Sequence, residues 1–372
     1  GSIRKLIGLE MPIENPGLIK GLKLILGALP ALGVMRKYGR VSLEDFARRF
    51  SNPFLREAFT ALQGDMAGFP AAVMMFPLAS LEKRDAGYPI GGSLAFARAI
   101  ERRYLDLGGR IHYRARVAKI LTAGDRAAGV RLADGTEFRA DYVISAADGH
   151  ATIFGMLEGK YLDDKIRGYY DGGLPPFPPM IQVSLGVKRD LANEPSTVIF
   201  PLAEPVVIAG QSRGTMGCRH YGKDPTLAPA GHSVIVVSFM TDYEYWRGLA
   251  ADHGRYQEEK QRIAEAVVDR LDRRYPGLKD QVAVVDVATP MTYERYTANW
   301  RASFEGWLPT TETMGMMFGK GLPKTLPGLA NFSMIGQWTT IGGGLPPAAK
   351  EGRDVIKKLC QQEGRKFVTS VP

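Results

Sequence analysis

Cysteine and histidine are scarce in this chain. Of its 372 residues only Cys218 and Cys360 are cysteine, and only five are histidine. Two cysteines build no disulfide framework. The histidines are scattered, with no HxxxH or similar pair, so metal-ligand spacing is missing and metal chemistry is not expected. Tandem repeats and low-complexity linkers are lacking too. The most hydrophobic segment, GLIKGLKLILGALPALGVMRKYG from Gly17 to Gly39, is interrupted by Lys20, Lys23, Pro30 and several glycines. It is a poor spanning helix. Two readings of it stay open: an interfacial helix with Lys20, Lys23, Arg36 and Lys37 at lipid headgroups, or a buried helical hairpin. Also missing is any strand–GxGxxG–helix unit. The glycine clusters GALPALG (Gly27 to Gly33) and GQSRGTMG (Gly210 to Gly217) have the wrong spacing and no such frame.

What is present fits a globular α/β chain: 45% hydrophobic residues, 23% charged residues and 43 glycines. A length of 372 residues allows two modest domains or one large one. The net charge of +9 reads either as an ordinary basic surface or as attraction to anionic lipid or a phosphate-bearing cofactor. Nucleic acid is not expected as a partner, because the basic residues are dispersed and form no recognition motif. The opening Gly-Ser has the look of a cloning scar.

Local patterns place the elements. Residues 43–64 read as short helices broken at Asn52–Pro53. In GYPIGGSLAFARAIERRYLDLGGRIHYRARVAKILTAG, Ser93 is a candidate cap for a helix with the stripe Leu94, Ala97, Ile100, Tyr104 and Leu107, ended by Gly108 and Gly109. Gly91 and Gly92 before it serve either a sharp domain crossing or a functional turn. A strand is expected over about Ile111 to Leu121, then a hairpin turning at Asp134–Gly135 and a buried strand, Tyr142 to Ser145. MIQVSLGV, TVIFPL and HSVIVVSFM read as an antiparallel sheet between about Pro175 and Asp242. A long amphipathic helix follows, about Gly254 to Tyr275, with Ile263, Val267, Leu271 and Tyr275 facing inward beside Ala264 and Val268. VAVVDVATP is another strand. Near the C-terminus, ANFSMI, GQWTTIGGGLPPAAKEGR (Gly336 to Arg353) and DVIKKLC read as strand, glycine turn and helix. That arrangement presents backbone N–H groups to an anionic or carbonyl ligand.

On these residues the chain resembles a known family. The run YPIGGSLAFARAIE…GGRIHYRARVAKI…GVRLADGTEFRADYVISAAD is similar to the middle of phytoene-desaturase-like and retinol-saturase-like FAD-dependent oxidoreductases, within the flavin amine-oxidase superfamily. GQWTTIGGGLPPAAKEGRDVI resembles their C-terminal flavin-contacting motif. DPTLAPAGHSVIVV and VATPMTYERYTANWRASFEGW are similar to pieces between, and the likeness runs from about Tyr38 to Cys360 in the expected order. Members of the family begin with a GxGxxG unit that grips the ADP part of FAD, so the resemblance implies a chain starting more than a hundred residues into a family member.

The resemblance implies an α/β fold: an incomplete FAD-binding Rossmann-like domain of the glutathione-reductase/amine-oxidase type, interleaved with an α+β substrate domain on an antiparallel sheet. The expected divisions are a helical cap at 1–84 with candidate membrane contact, FAD-binding pieces at 85–150 and 325–372, and a substrate domain at 151–324. Val117 would lie on the strand whose backbone meets the adenine, or be simple strand core. Ala146 and Ala147 would let backbone approach the cofactor, or form a tight strand-end turn. Gly336, Gly343, Gly344 and Leu345 are the expected flavin-side positions, with N–H groups of the next helix aimed at the flavin; the alternative is a helix start with no ligand. Gln337 stands where many flavoproteins carry an acid that bonds the ribityl chain. Tyr293, Tyr296, Trp300 and Trp307, with Met316 and Met317 of TMGMMFG, are candidates for the substrate boundary, or ordinary packed clusters; AVMMF (Ala72 to Phe76) is weighed likewise.

No acid, base or nucleophile constellation stands out, and no catalytic residue is assigned. The resemblance implies hydride exchange between FAD and a carbon–carbon bond of an apolar, isoprenoid or carotenoid-like substrate. FAD is expected in the intact protein and weakly or not at all in this chain alone. Rival readings are an amine- or porphyrinogen-oxidising enzyme and a non-catalytic isoprenoid- or lipid-binding protein. The expected location is cytoplasmic, peripheral on the cytoplasmic membrane. The sequence leaves oligomeric state open.

Overall fold

The computed structural model describes residues 26, 33–63, 66, 68–317 and 322–369. Most of the hydrophobic segment Gly17 to Gly39 therefore lies outside the described residues. In chain order the elements are α1 (Leu43–Ala47), α2 (Pro53–Gln63), α3 (Ala71–Lys83), α4 (Gly92–Asp106), β1 (Val117–Ala123), β2 (Arg126–Leu132), β3 (Glu137–Arg139), β4 (Val143–Ser145) and α5 (Asp164–Gly168). Then come β5 (Met180–Val187), β6 (Thr197–Ile208), β7 (Gln211–His220), β8 (Ser233–Met240), α6 (Tyr243–Leu249), α7 (His253–Arg274), β9 (Val282–Ala288), α8 (Pro290–Thr297), α9 (Met314–Met317), β10 (Phe332–Met334) and α10 (Leu345–Gln362). The chain divides into two units. One takes residues up to Gly87, Arg114–Phe177 and Glu305 onward; the other takes Tyr88–Tyr113 and Pro178–Phe304.

The second unit is built on one antiparallel sheet, in the order β6-β7-β8-β5-β9. Alternation along β5 decides its faces: Ile181, Val183, Leu185 and Val187 are fully buried, with half-buried residues between them. Helix α7 lays the expected stripe into this core, burying Ile263, Ala264, Val267, Val268 and Leu271. The Asp252 carboxylate caps α7 by accepting from the Arg255 N–H at 3.1 Å. Burying each large aliphatic side chain here is worth about 1.5–3 kcal/mol.

Helix α4 forms as its periodicity predicts, but it starts differently. Ser93 lies inside the first turn, and Gly91 is the cap residue, with no side-chain cap. Gly91 and Gly92 both take positive φ, 90° and 69°, which glycine adopts without strain. The Gly91 N–H then donates to Asp224 Oδ2 at 2.8 Å, while the Thr226 N–H donates to Asp224 Oδ1 at 3.0 Å. Within this unit the α4 stripe is uncovered, with Leu94, Ile100, Tyr104 and Leu107 all exposed.

In the first unit, β1, β2 and β3 form an antiparallel meander. Its hairpin turns at Asp134–Gly135, where Asp134 Oδ1 accepts from the Thr136 N–H at 2.9 Å and Gly135 has φ 90°. The strand expected from Ile111 begins only at Val117, because Arg114 turns the chain with φ 54°. Strand β4 pairs in parallel with β10, Val143–Ser145 beside Phe332–Met334. Ile120, Val143, Ile153, Leu326, Phe332 and Met334 close the core around that pair. Leu271→Ala in the α7 core is expected to cost about 2–5 kcal/mol, whereas Leu94→Ala on uncovered α4 is expected to cost under about 0.5 kcal/mol. Urea unfolding of both variants checks the pair, and similar losses would contradict these burial assignments.

Candidate functional site

Parallel pairing decides which ends of the strands coincide. Because β4 and β10 run in the same direction, Ala146–Ala147 and Gly336–Gln337 leave the pair together, and the Ile335 N–H donates to the Ser145 carbonyl at 2.9 Å. Both alanines are exposed. Gly336 has φ 97°, and a β-carbon there would meet no atom within 4 Å. It is glycine because the backbone turns through the left-handed region, and the space beside it is open.

The chain then loops from Gly336 to Gly344 under two constraints. Trp307 is fully buried and bridges to Ile341 on one side and Pro176 on the other, and its Nε1 donates to the Trp338 carbonyl at 3.2 Å. Tyr170 packs edge-on to Trp307, with centroids 5.0 Å apart, and stacks on Trp338. Burial, with the charge of Asp148 second, holds the Tyr170 phenol far above its ordinary ionisation range. At the loop's far end, a β-carbon at Gly343 would lie 2.5 Å from the Glu305 carbonyl oxygen, and one at Gly306 would collide with the Gln337 carbonyl. These two glycines let the 305–307 and 336–344 segments touch backbone to backbone. Met317 closes the apolar side, its Cε 3.3 Å from the β-carbon position of Gly342. Met317 also packs against the buried cluster of Met35, Ala72 and Met314.

Helix α10 starts at Leu345 behind Gly344, which has φ 104° and gives no side-chain cap. Several N–H groups were to be expected at this helix start, but Pro346 and Pro347 have none to offer. The Ala348 N–H is already bonded to the Gly344 carbonyl at 3.2 Å. Leu345, 63% exposed, therefore carries the helix-start N–H that a ligand can use. The turn is held from behind: the Thr339 hydroxyl lies 2.9 Å from the Gly336 carbonyl and 3.2 Å from Glu351 Oε2, and Lys324 Nζ is 2.8 Å from the same carboxylate oxygen.

The predicted residues thus separate. Ala146, Ala147, Gly336, Gln337, Gly343, Gly344 and Leu345 belong to the first unit around this turn, with Trp307 and Met317 beside it. Met316 is half-buried on α9. Val117 opens β1, half-buried opposite Leu132. Tyr293 and Tyr296 on α8, and Trp300, belong to the second unit. There the Tyr293 hydroxyl is enclosed without a hydrogen-bond partner among the described residues, whereas Tyr296 is 75% exposed under the Arg295 guanidinium. Sequence reasoning passed over Glu305, whose signal was an acid set among aromatic and glycine residues in FEGW.

A parallel strand pair that opens through a glycine turn onto a long helix is the geometry of α/β proteins that bind ligands beyond the carboxyl ends of their strands. The chain belongs to the family of flavin containing amine oxidoreductases, whose model matches residues 30–354. It is 28% identical over 275 residues to a chloroplastic prolycopene isomerase of an Oncidium hybrid cultivar, covering 71% of this chain and 44% of the relative. It is 26% identical over 358 residues to a neurosporene-forming phytoene desaturase of Cereibacter sphaeroides, covering 92% and 67%. The chain thus spans less than half the length of the isomerase. Among solved structures, an oxidoreductase from Methanosarcina mazei superposes with a TM-score of 0.56 at 18% identity, covering 88% of this chain and 71% of that one. A putrescine oxidase double mutant superposes at 0.54 and 14%, covering 96% and 72%. Both likenesses are of fold, and they agree with the mixed α/β architecture.

The turn fits one end of a flavin: open space at Gly336, a glycine cap without a side chain, and the polar groups of Gln337 and Glu305 beside it. No GxGxxG motif of a diphosphate grip occurs in the 372-residue sequence. Gly343→Ala is expected to cost about 1–3 kcal/mol through overlap with the Glu305 carbonyl and to shift the emission of Trp307 and Trp338. Gly336→Ala is expected to cost about 1–2 kcal/mol in φ strain and to leave that emission unchanged. Denaturation followed by tryptophan fluorescence separates the two; matching spectral shifts would contradict the packing assigned to Gly343.

Proposed function

We propose that this chain belongs to an FAD-dependent oxidoreductase that exchanges hydride with a carbon–carbon bond of an apolar, isoprenoid-type substrate, in desaturation, saturation or net isomerisation. One observation carries the reading. The glycine turn has a polar side, Glu305 and Gln337, and an apolar side, Met317 with the Met35–Met314 cluster. FAD, when bound, supplies the redox chemistry. The protein's share is to seat the flavin edge at Gly336–Leu345, to exclude water with Trp307 and Trp338, and to offer adaptable methionine surface to a hydrocarbon chain. The names of the relatives, prolycopene isomerase and phytoene desaturase, support an isoprenoid substrate over an amine.

The 372-residue chain by itself is expected to hold FAD weakly, since it carries no GxGxxG unit to bind the diphosphate. Peripheral attachment to an anionic membrane surface is part of the same reading; it draws on the +9 charge and on the partition of isoprenoids into lipid. No helix among the described residues is long and apolar enough to cross a membrane.

Expression from the complete coding sequence tests the proposal. The expected product is yellow, with stoichiometric flavin absorbance, and it changes the polyene spectrum of an added carotenoid precursor. Amine turnover with peroxide release, or a colourless protein, would overturn it. In liposome flotation at low salt, the same protein is expected to float with anionic vesicles and not with neutral ones; recovery in the soluble fraction with both would reject membrane attachment.

A further inference from the structure

The carboxyl group of Glu305 has no evident structural task. It is half-buried, its Oε1 is 3.7 Å from the β-carbon position of Gly344, and among the described residues neither an ion pair nor a hydrogen bond engages it. No cation among the described residues pairs with it. Residues 335–344 and 174–177 contain no ionisable side chain. The titratable groups on neighbouring elements are Tyr170, stacked on Trp307 and Trp338, and those of α10: Glu351, engaged by Lys324 and Thr339, Lys350 and Arg353, both beside Asp354, and Lys357 and Lys358 further along the helix. On its own segment, Arg301 is paired with Glu244, and Glu312 is exposed. Partial burial of a carboxyl group without a partner among the described residues costs free energy, so its place beside a glycine turn needs a reason.

Resting on the flavin reading above, we propose that Glu305 is a proton-donating binding residue of the turn site, giving a hydrogen bond to an acceptor on the edge of a heteroaromatic ring seated against Gly343 and Gly344. Burial favours the neutral acid and pushes its ionisation above the usual carboxylate range. A carboxylic acid in this state is a donor, which an ionised glutamate is not. Gln337, whose Cβ lies 3.1 Å from the β-carbon position of Gly343, adds an amide donor and acceptor on the same side. The site would thus prefer a ring edge rich in carbonyl and imine acceptors, and the preference would fade once Glu305 ionises.

Two measurements on the protein from its complete coding sequence test this. The first needs no flavin. A raised native ionisation means that wild-type stability is full below the ordinary glutamate range and declines as pH rises through the native value. Glu305→Gln removes that decline, so the variant is expected to gain on wild type between pH 5 and pH 8 in urea unfolding. A pH-independent difference would overturn the neutral-acid assignment. The second is FAD affinity, read by quenching of flavin fluorescence. Wild type is expected to bind up to about tenfold more weakly above the native ionisation of Glu305 than below it, the worth of one hydrogen bond. Glu305→Gln should bind with little pH dependence, and Glu305→Ala should bind about tenfold more weakly than wild type at the acid end of the same series. Wild-type affinity in Glu305→Ala would overturn the proposal and leave the flavin reading intact. Failure of the wild-type protein to bind FAD at all would overturn both.

Discussion

Three residues of β4 lie beside three of β10, and this short parallel pairing fixes everything at the candidate site. It joins segments far apart in the chain: the Tyr142 hydroxyl meets the Ser333 hydroxyl at 2.7 Å across 191 residues. Parallel strands cannot be joined by a hairpin, so the intervening chain must leave and return. Two side contacts keep the register over so few ladder bonds: Asn331 Nδ2 donates to the Asp141 carbonyl at 2.7 Å, and the Ile335 N–H donates to the Ser145 carbonyl. A slip by one residue would carry buried Phe332 and Met334 to the opposite face and scatter the turn.

From that pair outward, the turn's glycines answer different demands. At Gly336 the demand is conformational. At Gly343 and Gly306 it is proximity, because two backbones meet where no β-carbon fits. Trp307 converts this approach into rigidity, since its indole donates into the same loop whose Ile341 it bridges. The segment around Glu305 is therefore as much a part of the turn as the glycine motif itself, although more than thirty residues of sequence separate Glu305 from Gly343.

That separation explains what was legible beforehand. The faces of β5 and α7 could be read because burial repeats every second residue in one and at helical spacing in the other, and both signals are local. Asp134–Gly135 was readable for the same reason. The start of α4 was misread at Ser93, because the partner that settles it, Asp224, is 133 residues from Gly91 and leaves no mark beside it. The poverty of N–H groups at α10 was written in Pro346–Pro347, and the helix-start argument overrode it. Glu305 shows the opposite case. Its residue type was plain, but its isolation from opposite charge belongs to packing alone.

The turn consequently has unlike walls. Met317 and Pro309 lie beside Gly342, while Glu305 and Gln337 border Gly343. A wholly apolar ligand would leave Glu305 desolvated and unpaired, and a wholly polar one would gain little from Met317. Neither wall alone selects a ligand. Together they favour two occupants meeting at the turn, a polar ring edge on the Glu305 side and a hydrocarbon on the Met317 side. Under the proposed function, the first would be the flavin edge and the second the substrate chain.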